Sequence, residues 1–131
     1  GGATVGYPYC DFTWNVPDTD SHAEVTSETF SLPETEYTIV LNTAAIALAG
    51  NMTYTLIGSN DKDLVTAKWT DIKTASFANA VITALQPAFN VTLGDDTSIE
   101  GRYRYYKLQL NPSADPGPAI VLRVGINPGT I

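Results

Sequence analysis

The chain has 131 residues, 44% of them apolar and 16% charged, with a formal net charge of −7. That length specifies one domain able to bury a real core, and the acidic excess argues against a nucleic-acid partner, because acidic surface repels phosphate. A single cysteine rules out an intrachain disulfide, and no apolar run approaches the roughly 20 residues that span a bilayer.

The charge is unevenly placed. Residues 1–36 carry seven acids (Asp11, Asp18, Asp20, Glu24, Glu28, Glu34 and Glu36) and no Lys or Arg, whereas from residue 37 seven acids meet seven bases. The chain opens Gly1-Gly2, as after trimming of an initiator Met or cutting of a precursor, and no charged-then-apolar signal segment stands there.

Residues 1–20 read as an extended arm. Tyr7, Tyr9, Phe12 and Trp14 place four aromatics within eight positions, and Pro8 and Pro17 disfavour helix. Aromatic side chains bury large areas when they meet a surface. The arm therefore either folds back as an edge strand of its own domain or lies on a neighbouring subunit. Asp18 to Ser21 is a turn cluster.

From residue 21 the chain reads as strands. Val25 to Leu32 alternates. After the Pro33-Glu34 turn, Tyr37, Ile39 and Leu41 share one face, with Thr38 and Val40 opposite. Asn42 to Ala49 fits a strand or a short helix, and Gly50-Asn51 favours a hairpin into the next strand. There Met52, Tyr54 and Leu56 alternate with Thr53, Thr55 and Ile57. A polar loop from Gly58 to Asp63 leads to a short strand, Lys68 to Ile72, carrying Trp69. Residues 75–86 fit helix and strand equally. Phe89, Val91 and Leu93 form another face.

The longest strand signal is Arg102-Tyr103-Arg104-Tyr105-Tyr106-Lys107-Leu108-Gln109-Leu110. Arg102, Arg104, Tyr106, Leu108 and Leu110 share one face of it. In the last strand Ile120, Leu122, Val124 and Ile126 do the same. Seven to nine short strands with turns every eight to twelve residues predict an all-β antiparallel sandwich or jelly roll over residues 21–131.

Few residues suit chemistry. Cys10 and His22 are the only thiol and imidazole, with no local signature of a nucleophile–base pair and too few ligands for zinc. Asp61 with Asp63, and Asp95 with Asp96, sit in turns of the composition calcium prefers, yet ordinary turn chemistry explains them, so no metal and no cofactor is expected. A glycosidase pair of acids needs a separation that sequence does not carry. Asn51-Met52-Thr53 and Asn90-Val91-Thr92 match the N-glycosylation pattern. Arg102 and Arg104 are suited to forking carboxylates, in the acidic N-terminal segment of this molecule or the next.

The run Tyr54 to Asp61, then Trp69-Thr70-Asp71-Ile72, then Arg102-Tyr103, resembles discoidin-like, galactose-binding-like β-sandwich domains. Val121 to Ile126 resembles their closing strand, so the likeness covers residues 52–126. It implies a jelly-roll topology and, as one reading, a carbohydrate-binding module using Asn60, Asp61, Trp69 and Arg102. The chain is also similar in type to small virion proteins of tailed bacteriophages, such as capsid decoration or tail-associated sandwiches. An aromatic arm, a Thr-rich β body and the lack of a catalytic set carry that likeness. The first expectation is therefore a non-enzymatic structural assembly protein located in a virion. It would form a homo-oligomer or bind other subunits through Tyr7, Tyr9, Phe12, Trp14, Arg102 and Arg104. A secreted or cell-surface sugar binder is the alternative.

Overall fold

The structure is a computed structural model, and it describes residues 10–17, 24–42, 51–78, 87–94, 102–113 and 119–129. Eight strands follow in chain order: β1 Cys10–Val16, β2 Val25–Thr26, β3 Glu36–Asn42, β4 Met52–Ser59, β5 Thr70–Phe77, β6 Ala88–Thr92, β7 Tyr105–Pro112 and β8 Ile120–Pro128. They form two four-stranded sheets, ordered β1-β8-β3-β6 and β2-β7-β4-β5. Every strand pairing is antiparallel. This is the order of a jelly roll, eight strands in two sheets.

Alternation decides what lies between the sheets. Tyr37, Ile39 and Leu41 of β3, Met52, Tyr54 and Leu56 of β4, and Leu122, Val124 and Ile126 of β8 are buried in one core, as their spacing predicts. Tyr106, Leu108 and Leu110 join them from β7. Phe12, Phe30 and Tyr106 form a ring series through that core, with centroids 5.4 Å and 6.4 Å apart.

Four expectations are corrected. The strand expected from Arg102 begins only at Tyr105. Just before it, Tyr103 N–H donates to the Tyr106 hydroxyl at 2.8 Å and Arg104 N–H to Asn60 Oδ1 at 3.0 Å. Two backbone donors are thus taken by side chains and cannot extend the ladder. Second, Trp69 precedes its strand, behind a 3₁₀ turn at Thr66–Lys68. Third, the strand expected over Val25–Leu32 pairs regularly only at Val25–Thr26 and touches β7 again at a bridge between Phe30 and Tyr106. Fourth, both edges of β4 are occupied from Met52 onward, by Phe77 of β5 and Pro112 of β7. No edge is left there for a hairpin across Gly50-Asn51. Residues 43–50 themselves, His22, Asp95-Asp96 and most of the segment 75–86 lie outside the described residues.

The second half of the expected arm is β1 of the sandwich. Seven consecutive pairs tie it to β8, from Cys10 opposite Ile126 to Val16 opposite Ile120. Of the two readings of the arm, residues 10–16 follow the one that folds back on its own domain.

Candidate functional site

A sheet edge carries unpaired backbone N–H and C=O groups, and proteins blunt such edges unless they use them. The sandwich has four: β1 and β6 in one sheet, β2 and β5 in the other. β2 is two residues long. β6 is five residues long and begins directly after Pro87. β5 is broken by a bulge: Leu56 faces Lys73 while Ile57 faces Asp71, so Ile72 is the extra residue. Lys73, beside the bulge, is exposed and places a charge on this edge, which disfavours pairing with another chain.

β1 is neither short nor bulged and contains no proline, and its one charge is Asp11. It is seven residues long and pairs with β8 without a register shift. A groove of about 460 Å³ runs beside it, lined by Phe12, Trp14, Pro17, Val25 and Glu28 among others. Thr13 and Asn15 project to the outer side and are exposed, while Trp14 and Val16 are buried inward. The long, regular β1 edge and the short, shifted β2 edge thus lie on either side of one groove.

The residues expected to bind subunits divide. Tyr7 and Tyr9 lie outside the described residues. Phe12 is half-buried and packs on the core, and Trp14 is 5% exposed within it. Both rings are therefore used inside their own chain, where they also form part of the groove wall. Arg102 is also used internally: Nη1 donates to Glu34 O at 3.0 Å and Nη2 to Pro33 O at 2.9 Å. It holds the turn before β3 against the loop before β7. Arg104 is exposed, and its guanidinium has no partner among the described residues.

The four residues expected to bind sugar do not form a platform. Trp69 is 6% exposed. Its Nε1–H donates to Leu64 O at 2.9 Å, and Lys107 Nζ sits 4.6 Å from its ring centroid. Ile57, opposite Lys107 on the outward side of β4, is 1% exposed. Trp69 thus lies against Lys107 of β7, outside the main core cluster. Asn60 is spent on Arg104 N–H, and Asp61 Oδ1 accepts Asp63 N–H at 3.0 Å. That last bond is an ordinary Asx turn. Arg102 is held at the Pro33-Glu34 turn. Among the described residues no three of His, Cys, Asp and Glu gather at one place, and no helix is long and apolar enough to cross a membrane.

Sequence reasoning missed Thr13, Asn15, Pro17, Val25 and Glu28 as the surroundings of the edge. The available signal was the alternation of Phe12 and Trp14 with Thr13 and Asn15, which already marks a strand with one wet face.

No protein-family model matches the chain, and no curated protein matches it in sequence. Among solved structures it is similar to the crystal structure of the Yersinia pseudotuberculosis-derived mitogen, at 11% identity and a TM-score of 0.48, over 93% of this chain and 86% of that one.

Proposed function

We propose that this chain is a structural assembly subunit, of the kind that builds or decorates a virion, and that it binds a second copy of itself through the edge of β1 that no other described strand pairs. The observation that carries this reading is the contrast among the four described sheet edges: three are short or broken by a bulge, and β1 is long, regular and beside a groove. Strand addition supplies affinity through main-chain hydrogen bonds, and the groove supplies side-chain specificity. Jelly rolls serve both capsids and lectins, so the fold alone favours neither; the buried Trp69 ring weighs against the sugar reading.

The test is a charge placed on the edge. Thr13→Lys with Asn15→Lys alters only exposed outer positions and keeps Phe12 and Trp14. Sedimentation of the full chain from micromolar to millimolar concentration should show a defined oligomer for the wild type and a smaller species, lacking the edge contact, for the double variant, with unchanged circular dichroism. A wild-type chain that stays monomeric throughout, or a variant that assembles as before, overturns the reading.

A further inference from the structure

The end of the sandwich at the Pro33-Glu34 turn carries charge of both signs without a side-chain partner among the described residues. On one side of the turn lies a hollow of about 320 Å³ lined by Glu34, Glu36 and Gly129 among others. On the other lies a hollow of about 440 Å³ whose walls include Ser31, Pro33, Tyr103, Arg104 and Tyr105. The two meet at the turn, which Arg102 clamps from the second side by its bonds to Pro33 O and Glu34 O.

Those bonds use the carbonyls, not the carboxylate. Glu34 and Glu36 are exposed, and their carboxylates have no partner among the described residues. Arg104 is in the same position, while Tyr103 and Tyr105 are half-buried, with their hydroxyls unpartnered among the described residues. The basic hollow holds two Arg and two Tyr and no Lys. That is the composition of interface centres, where Tyr and Arg are enriched and Lys is depleted. Charges alone would give little, since exposed ion pairs are weak and screened by salt. Half-buried Tyr rings and Pro33 add the apolar area that such pairs lack.

An acidic and a basic hollow on either side of one rigid turn make a self-complementary patch. A two-fold axis through the turn would carry each Arg104 onto the acidic hollow of the other copy, and such closed two-fold contacts are the commonest symmetric interfaces. We infer that this tip is a second contact between copies of the chain, with Arg104 of each copy seated against Glu34 and Glu36 of the other. The inference deepens the assembly reading and uses residues other than those around the β1 edge. An edge contact and a tip contact on one molecule would let copies extend into a larger particle.

The test exploits the symmetry. In the full chain carrying Thr13→Lys and Asn15→Lys, which silences the edge, self-association should persist and weaken with salt. Arg104→Glu alone, or Glu34→Lys with Glu36→Lys, should each raise the dissociation constant by about tenfold or more, because like charges then face each other. Mixing the two reversed proteins should restore binding, since both contacts of the mixed pair are again opposite in sign. The triple reversal in one chain should restore it as well. Failure of the mixture to recover, or reversals that change nothing, overturns the tip contact. So does an edge-silenced chain that never associates, and that outcome leaves the edge reading intact.

Discussion

The Ser27 hydroxyl accepts the Leu108 backbone N–H at 2.8 Å, in the position where a strand carbonyl would otherwise stand. Val25 faces Leu110 and Phe30 faces Tyr106, so five steps along one strand are matched by four along the other. One extra residue is accommodated between them, and the shift brings both Val25 and Phe30 onto the core side. Ser27 makes the shift tolerable. Its N–H donates to Leu108 O at 2.8 Å, while its hydroxyl accepts from Leu108 and donates to Glu28 O at 2.9 Å.

Ser27→Ala should therefore leave a buried N–H without a partner and cost about 1–3 kcal/mol. Chemical denaturation checks this: the midpoint should fall while the slope stays constant. Loss of the Ser27 hydroxyl should also raise hydrogen exchange at Leu108 before exchange rises elsewhere in β7.

Gly58 is fixed by its neighbour. A Cβ built there would lie 2.5 Å from Tyr103 Cδ2 and 2.9 Å from Ile72 Cδ1, so the Tyr103 ring rests where a side chain would be. Gly58→Ala should destabilise by about 1–3 kcal/mol through overpacking. Combined with Tyr103→Ala, the same change should cost clearly less. Thermal unfolding of the two single variants and the double variant measures that coupling.

Tyr54 is fully buried, and its hydroxyl has no partner among the described residues. Burial raises its pKa above the ordinary tyrosine value of 10.0. Burial also raises that of Tyr106, against a lowering by its bond from Tyr103 N–H and by Arg102. Both groups are favoured neutral in the fold. Their contribution is fully present below about pH 10 and is lost as pH rises from there through the folded values. Stability should accordingly fall in alkali. Tyr54→Phe, which deletes an unpaired hydroxyl, should leave stability at pH 7 equal or slightly higher and make the alkaline decline shallower. Urea midpoints taken between pH 8 and 12 decide it.

Trp69 is structural in its setting. Trp69→Ala should cost about 3 kcal/mol, as truncation of a buried aromatic does. Trp69→Phe keeps most of the packing and loses the bond to Leu64 O, for about 1 kcal/mol. Simple sugars added at millimolar concentration should leave the fluorescence of a Trp14→Phe variant unchanged. A saturable change would place a saccharide at Trp69.

Much of the architecture could be read from local pattern. The inward positions of β3, β4, β6, β7 and β8 are all alternating apolar residues, because a strand with one buried face has a period of two wherever it sits. The two-sheet antiparallel body follows from strand number and turn spacing. What local pattern could not settle was where regular pairing stops. Arg102-Tyr103-Arg104 alternates as well as any strand, yet it is a loop, because Asn60 and Tyr106 take its backbone donors. Those partners come from side chains, one of them 44 residues away, and periodicity does not see them.

The spare edge and the two-signed tip are also tertiary facts. Composition showed acids without bases in residues 1–36 and the aromatics of the leading segment. Only the sheet order left β1 with no second partner among the described strands and brought Glu34, Glu36 and Arg104 to one end. Hydrophobic period is written residue by residue, whereas edges and charge neighbours depend on which distant strands close the sheet.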